Sequence, residues 1–220
     1  MKQTKEGYKK SSKPFQNFIK RILDIVLSFV ALLILSPVFL GLTILIIKED
    51  GRPVFFRQKR SGLNDEVFKM YKFRSMKNKQ VSVPSNSHND YNWKNGVPDD
   101  FVFKTSSESN PNITKIGSFI RKYSLDELPQ FMNVLKGDMS IIGPRPEIIA
   151  ISRFYSTYQK KRLDVKPGIT GWAQANGRSD MNHGKKIEHD LYYVDNFSLW
   201  LDVKVFVRTI VQVIGRKGAV

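Results

Sequence analysis

The sequence predicts an α+β protein in which a re-entrant membrane helical hairpin precedes a compact, mostly helical cytosolic domain. A long apolar segment near the N-terminus predicts the hairpin, two short β-rich segments predict a small β-hairpin, and the remainder carries helix signals between Pro- and Gly-containing loops. The predicted order is a basic tail (1–17), the membrane helix (18–48) and the cytosolic domain (49–220), in which 77–112 forms a long variable loop. Amphipathic helices of this domain are expected at the membrane interface.

Composition limits the classes of function. The chain has 220 residues, enough for one domain of moderate size, and its formal charge of +16 predicts an anionic partner such as nucleic acid, anionic lipid or a phosphorylated substrate. It contains no cysteine, which excludes disulfides, thiolate catalysis and Cys-based zinc sites. The three histidines lack zinc-ligand spacing.

The apolar segment from Ile22 to Ile47 is long enough for a tilted helix to cross a bilayer. It is too long for a signal peptide, and no small-residue cleavage site precedes the charged residues that follow it. Both of its flanks are basic, which under the positive-inside rule assigns both ends to the cytoplasmic side. The flanking cations are Lys20, Arg21, Lys48, Arg52, Arg57, Lys59 and Arg60.

Ser36-Pro37 lies near the middle of this segment. Proline removes a helical hydrogen bond and kinks a helix. Each half has about thirteen residues, or about 20 Å of helix, which is too short to span alone. These observations favour a re-entrant hairpin broken at Ser36-Pro37, and the alternative is an ordinary tilted span that tolerates the proline.

Two short segments after the membrane helix, Val54–Gln58 and Val67–Phe73, predict a β-hairpin. Cations on and beside it form a basic shelf just beneath the bilayer. Basic residues next to a membrane contact lipid head groups, and they also suit a phosphorylated substrate. The shelf consists of Lys59, Arg60, Lys72 and Arg74.

Four helices are predicted in the rest of the domain. Thr114 can cap a short helix that reaches about Tyr123. Amphipathic spacing predicts a helix over Glu147–Leu163 and another over Ile187–Phe197. Leu199–Ile214 is predicted as a helix or β-rich segment, too charged to span, that packs on the core or lies at the interface.

The stretch from Arg121 to Pro146 carries the strongest chemical signal. Asp126 and Glu127 follow Arg121 by five residues, and Arg145 stands between two prolines. Carboxylate oxygens suit hard cations such as Mg²⁺, and guanidinium groups match phosphate oxygens in bidentate geometry. This combination predicts a site for a divalent cation and a phosphate ester.

A structural interpretation of the same residues stays open. Ser124 and Glu127 have capping-box spacing and could simply begin a helix that stops at Gly137. Pro129 would then fall at the fifth helical position, so a start nearer Asp126 suits it better. Such a start places both carboxylates at the N-terminus of the helix, where the free N–H groups and the helix dipole favour anions. Capping and catalysis are therefore compatible there.

Several further motifs accompany this stretch, and their number and order over roughly residues 18–215 resemble the bacterial sugar transferases known as monotopic phosphoglycosyl transferases. The matching stretches are KRILDIVLS with Ser36-Pro37, PVFFRQKRSG, YKFRSM, RKYSLDELPQ, NVLKGDMSIIGPRP and KPGITGWAQANGR.

The resemblance implies an enzyme that transfers a sugar 1-phosphate from a UDP-sugar to undecaprenyl phosphate, giving undecaprenyl-diphosphate-sugar and UMP. This is the initiating step of a bacterial surface glycan such as a capsule, exopolysaccharide, O-antigen or glycoprotein oligosaccharide. The implied location is the cytoplasmic face of the bacterial inner membrane. The expected partners are the UDP-sugar, undecaprenyl phosphate and membrane phospholipids, with no nucleic acid, while a homo-oligomer stays open.

The resemblance also implies residue roles. Asp126 matches the nucleophile that forms a covalent phosphosugar intermediate, and Glu127 matches the acid that holds Mg²⁺. The other matched positions are those of phosphate binding (Lys72, Arg121, Arg145) and of the membrane-helix break (Ser36, Pro37). The alternatives are a membrane-anchored nucleic-acid-binding protein and a non-catalytic scaffold or regulator of the same fold.

Overall fold

A computed structural model describes residues 13–78, 93–102, 110–177 and 181–214. It has one long N-terminal helix followed by a domain of helices around a three-stranded sheet and a two-stranded parallel sheet, which confirms the mixed α+β class. The elements are α1 (Pro14–Asp50), β1 (Phe55–Ser61), β2 (Val67–Phe73), α2 (Lys115–Lys122), α3 (Gln130–Lys136), β3 (Ser140–Ile142), β4 (Glu147–Ile148), α4 (Ile149–Ser152), α5 (Thr157–Lys160), β5 (Gly168–Thr170), α6 (Trp172–Asn176), α7 (His183–Asp195) and α8 (Leu199–Ile214).

Helix α1 is long and apolar enough to cross a membrane, with a mean hydropathy of 2.8 in its most apolar window. Only 11% of that window is buried, so α1 is not the core helix of a water-soluble domain. Its exposed middle includes Phe29, Leu33, Ile34 and Leu40. These observations indicate membrane association.

The predicted hairpin is not confirmed, because α1 is one continuous helix with Pro37 inside it. The proline cannot donate to the carbonyl of Leu33, four residues earlier. The hydroxyl of Ser36 donates to that carbonyl instead, at 2.8 Å. This replacement hydrogen bond allows the helix to continue through Ser36-Pro37.

The N-terminal part of α1 is fixed to the domain by polar contacts. The guanidinium of Arg21 donates to the carbonyls of Val134 and Leu135 at 2.6 and 2.9 Å, at the end of α3. The buried Asp24 carboxylate accepts from the Ile141 N–H and the Ser140 hydroxyl at 2.9 and 3.1 Å. These bonds satisfy the C-terminal carbonyls of α3 and tie α1 to β3.

The C-terminal part of α1 packs on the same domain about 30 Å further along the helix axis. Leu42 and Ile46 are buried in a cluster with Phe73 and Ile120. The carboxylate of Glu49 accepts from the first two N–H groups of α2 at 2.6 and 2.9 Å. Both ends of α1 therefore contact one domain, while the middle of the helix stays exposed.

The predicted β-hairpin is confirmed, with a longer first strand. Strands β1 and β2 are antiparallel with Phe55 opposite Phe73, and β4 pairs with the other edge of β1 to give the order β2-β1-β4. The free edge of β2 is covered by Asn133 of α3. Its side chain accepts from the Tyr71 N–H at 2.9 Å and donates to the Lys69 carbonyl at 2.8 Å, as a neighbouring strand would.

The predicted helix over Glu147–Leu163 is wrong. Glu147 pairs with Ser61 in the sheet, and the next residues form two separate short helices. Ser156 begins the second of these with a capping box that includes Gln159. The apolar residues of this region are therefore spaced as if on one helix, but they lie on several short elements that pack against the same core.

The other predicted helices are confirmed. Thr114 accepts from the Gly117 N–H as the N-cap of α2, and α8 is a helix with the predicted bounds Leu199–Ile214. Helix α7 starts four residues earlier than predicted, where Asn182 caps it. The basic tail lies outside the described residues except 13–17, as does most of the 77–112 loop. The proposed domain boundaries stay a prediction.

We expect Asn133→Leu to destabilise the domain, because it removes the fully buried Asn133 amide that pairs with the partly buried Tyr71 N–H and Lys69 carbonyl. Two such losses cost about 2–4 kcal/mol, which lowers the melting temperature by about 5–10 °C in a chain of this size. Thermal unfolding of the detergent-solubilised protein measures this. The exposed Asn196 is the matched control, and an Asn133→Leu melting temperature equal to that of Asn196→Ala contradicts the assigned role.

Candidate active site

The two adjacent carboxylates lie on a single 3₁₀ turn, Leu125–Glu127, between α2 and α3. The capping-box prediction is wrong: Ser124 has a left-handed backbone (φ 54°) and makes no side-chain cap. Helix α3 begins only at Gln130, after Pro129, and ends at Gly137 as predicted. The left-handed residue reverses the chain after α2, and the short turn then directs Asp126 and Glu127 toward β2.

Glu127 lies at the centre of a compact ion-pair cluster. Its Oε1 is 2.8 Å from Lys72 Nζ and 2.5 Å from Arg145 Nη2, and its Oε2 is 3.2 Å from Arg145 Nη1. This is the bidentate arginine–carboxylate geometry. Burial favours the neutral acid, but the charges of Arg145 and Lys72 outweigh it and hold the pKa of Glu127 well below its usual range.

Asp126 has fewer close cationic partners than Glu127. Its nearest ion-pair partner among the described residues is Lys72, at 3.8 Å from Oδ2. Burial raises its pKa, and the charge of Glu127 adds to this effect, while Lys72, Arg121 and Arg145 oppose it. Two neighbouring carboxyl groups with pKa shifts in opposite directions are typical of sites in which the two groups have different roles.

The two predicted arginines are placed differently. The side chain of Arg145 is 41% exposed although it binds Glu127, so its outer N–H groups are accessible to a ligand. Arg121 donates from Nε to the Ser75 hydroxyl at 2.8 Å, and its charge reaches Asp126 without a direct ion pair. Both cations therefore border the carboxylates.

A third guanidinium, that of Arg60, also belongs to this site. It donates to the Pro146 carbonyl at 3.2 Å and to Gln58 Oε1 at 2.6 Å. Burial lowers its pKa to about 10, and the charges of Arg145 and Glu127 act on it. The sequence alone leaves Arg60 open between a role in lipid contact and a role in substrate binding. In the structure, strand alternation places Arg60 on the same face of the sheet as Gln58 and Lys72.

The cluster matches Mg²⁺ in donor type and number. Mg²⁺ is commonly held by one or two carboxylates together with water and substrate phosphates, and Asp126 and Glu127 supply two. Within the described part of the chain, no group of three or more acidic or histidine side chains could hold a metal. Both oxygens of Glu127 already accept from cations, so Mg²⁺ held by Glu127 would share that carboxylate with Lys72 and Arg145.

The sequence thus identified Lys72, Asp126, Glu127 and Arg145, which the fold brings into direct contact. Ser36 and Pro37 are not part of this cluster and lie on the exposed middle of α1. Residues 93–102 of the 77–112 loop pack elsewhere, where Val97 joins a core cluster with Tyr155 and Leu191.

Comparison with known proteins identifies a family. The family model described as bacterial sugar transferase matches residues 15–216. The sugar transferase EpsL of Bacillus subtilis is 40% identical over 91% of this chain and 89% of its own length. The UDP-glucose:undecaprenyl-phosphate glucose-1-phosphate transferase of Escherichia coli is 38% identical over 91% of this chain, and the undecaprenyl-phosphate galactose phosphotransferase of Salmonella typhimurium is 40% identical over 94%. The matches cover only 41% and 43% of these two longer relatives.

We expect Glu127→Gln to lower the melting temperature at pH 7, because it removes the charge that Arg145 and Lys72 bind. An acid with a depressed pKa stabilises the fold above its unfolded-state value, 4.5 here, and this contribution is lost as the pH falls toward the folded-state value. The melting-temperature difference between wild type and Glu127→Gln should therefore narrow as the pH falls below about 5. Glu66→Gln, at an exposed position, serves as control. A difference that is constant from neutral to acidic pH contradicts the ion-pair assignment.

Proposed function

Because the chain belongs to the bacterial sugar transferase family, we propose that it transfers a sugar 1-phosphate from a UDP-sugar to undecaprenyl phosphate. The products are undecaprenyl-diphosphate-sugar and UMP, and the reaction begins a surface glycan. The observation that carries the proposal is the unequal carboxylate pair, in which Glu127 is bound by two cations and Asp126 is left less compensated. The names of the relatives support the substrate classes.

In the first step, a carboxylate oxygen of Asp126 attacks the phosphorus that carries the sugar. The bond from this phosphorus to the bridging oxygen breaks, and UMP leaves with that oxygen. In the second step, a phosphate oxygen of undecaprenyl phosphate attacks the same phosphorus and releases the Asp126 carboxylate. Neither step requires a proton from Asp126, and two displacements let a soluble donor and a lipid acceptor use one site in turn.

Asp126 suits the role of nucleophile better than Glu127. Three charge-assisted hydrogen bonds, two to Oε1 and one to Oε2, occupy most of the lone pairs of the Glu127 carboxylate and lower its basicity. The raised pKa of Asp126 makes its carboxylate more basic, which strengthens it as a nucleophile.

The surrounding cations stabilise the charge that moves during transfer. The exposed N–H groups of Arg145 and the ammonium of Lys72 are fixed by Glu127, so they are oriented before the substrate arrives. Arg121 and Arg60 add further positive charge beside the two carboxylates. Bound Mg²⁺, held by Asp126 and Glu127, would further neutralise the diphosphate.

For the membrane helix, we propose that both of its ends lie on the cytoplasmic side. A helix that crossed the bilayer would separate its ends by the hydrocarbon thickness of about 30 Å, with the domain on one side only. Here Arg21 and Asp24 near one end and Leu42 and Ile46 near the other contact the same domain. The exposed apolar middle then enters one leaflet, and the basic flanks favour the cytoplasmic face.

Helix α8 supports the same placement of the domain. It exposes an apolar surface although it carries charged residues and is too short to span with them. Such a helix suits the interface between head groups and acyl chains. Its exposed apolar residues are Trp200, Val203, Phe206, Val207, Ile210 and Val211.

The reaction is tested by UMP release from purified protein with Mg²⁺, undecaprenyl phosphate and a panel of UDP-sugars. We expect UMP with at least one donor, and a loss of about 10³-fold or more in Asp126→Asn because the attacking oxygen is gone. Asp65→Asn, at the exposed tip of the β-hairpin, should keep full activity. A folded Asp126→Asn protein that releases UMP near the wild-type rate contradicts the nucleophile, and no UMP from any donor favours the scaffold.

The topology is tested with single cysteines, for which the cysteine-free chain gives a clean background. Lys13→Cys and Lys77→Cys flank α1 and should react with an impermeant thiol reagent from the same, cytoplasmic side. Ile34→Cys, which is 68% exposed in the protein, should be protected by lipid. Labelling of the two flanking positions from opposite sides of the membrane would rule out re-entry.

A further inference from the structure

We infer that Arg162 is a positioning residue for Arg145 and thereby for the binding of substrate phosphate. This inference rests on the proposed function, which assigns Arg145 to the phosphates. Arg162 is buried behind the site, between the segment that carries Arg145 and helix α7.

The segment Pro144-Arg145-Pro146 depends on its carbonyl groups for its position. Two of its three residues are prolines, which have no N–H to donate. Each of its three carbonyls accepts from a separate donor. The Gly168 N–H reaches the Pro144 carbonyl at 2.9 Å, Arg162 reaches that of Arg145 at 2.8 Å, and Arg60 reaches that of Pro146 at 3.2 Å.

The donor on the Arg145 carbonyl is itself rigid. Arg162 is 1% exposed, and its Nη2 lies 2.6 Å from Asp190 Oδ2, a carboxylate that is also 1% exposed. Its Nη1 donates to the Tyr155 hydroxyl at 2.5 Å and to Glu147 at 3.3 Å. The guanidinium is therefore held on two sides by groups from three different elements.

The charges in the buried cluster around Arg162 balance each other. Lys186 donates to Glu147 at 2.8 Å, so two cations face two buried anions behind the site. A buried charge that loses its partner is costly, so this balance holds the geometry in place. The cluster consists of Glu147, Arg162, Lys186 and Asp190.

The Arg162–Asp190 ion pair affects the substrate side of the site through Arg145. Nη2 of Arg162 contacts both Asp190 and the backbone carbonyl of Arg145, so the ion pair fixes the main chain from which the Arg145 side chain extends. The orientation of the Arg145 side chain determines whether its guanidinium makes both hydrogen bonds to Glu127. It also determines whether the remaining N–H groups point toward the substrate phosphates. A lysine at 162 keeps the charge, but a single ammonium cannot reproduce the planar fork.

A double-mutant cycle separates positioning from a general structural role. The four proteins are wild type, Arg162→Lys, Arg145→Lys and the double variant, and kcat and KM for the UDP-sugar are measured by UMP release. We expect Arg162→Lys to lower kcat/KM about 10-fold in wild type but less than about twofold when Arg145 is already lysine.

The control is a core substitution of similar thermal cost away from the cluster. Val205→Ala, at a fully buried position of α8, should lower the melting temperature with little change in kcat/KM. Equal losses of kcat/KM from Arg162→Lys in both backgrounds would overturn the inference. A Val205→Ala loss as large as that of Arg162→Lys would also overturn it.

If the wild-type protein releases no UMP, the proposed function fails and the inference is judged by the same cycle in melting temperature. Arg145→Lys should then cost fewer degrees in the Arg162→Lys protein than in wild type, because the fork on Glu127 is already misaligned. Additive shifts in melting temperature would overturn the positioning role independently of activity.

Discussion

The carboxylate of Glu127 joins three parts of the chain that are distant in sequence, and the geometry of the candidate site depends on this junction. It binds Lys72 from the β-hairpin and Arg145 from the proline-flanked segment, while its own turn follows α2. Because the two cations are engaged by Glu127, Asp126 beside it has only a distant ion pair at 3.8 Å. One ion-pair cluster thus both assembles the site and makes its two carboxylates unequal.

The second constraint is the attachment of α1 at both ends. Polar contacts near Arg21 and Asp24 and apolar contacts near Leu42 and Ile46 hold the helix on one domain. No described residue covers the exposed apolar middle between these contacts, which supports contact with lipid. In the proposed topology, this attachment holds the domain against the membrane surface, which is the layer in which a polyprenyl phosphate would present its phosphate.

Local signals in the sequence predicted the elements that depend on neighbouring residues. The β-rich segments Val54–Gln58 and Val67–Phe73 predicted a hairpin and the Thr114 cap predicted a helix, and the structure confirms both. For Leu199–Ile214 the sequence left a helix and a β-rich segment open, and the structure has the helix. The pairing of acids and arginines around Asp126 likewise identified the side chains that meet.

Contacts between distant residues account for what the sequence did not show. The predicted helix over Glu147–Leu163 fails because Glu147 pairs with Ser61 and balances Lys186 and Arg162, partners far away in the chain. The continuity of α1 depends on a Ser36 hydroxyl that replaces the missing N–H of Pro37. Arg60 was assigned no definite role because its contact, the Pro146 carbonyl, lies 86 residues away.

In the proposed mechanism, Asp126 carries the phosphosugar between donor and acceptor. The most direct measurement is the intact mass of the purified protein after incubation with Mg²⁺ and the active UDP-sugar in the absence of undecaprenyl phosphate. We expect the wild-type protein to gain the mass of one sugar phosphate on the peptide that contains Asp126. This added mass should be absent from Asp126→Asn and should be removed by undecaprenyl phosphate. An active protein that releases UMP only when the acceptor is present, and never gains this mass, would contradict this mechanism.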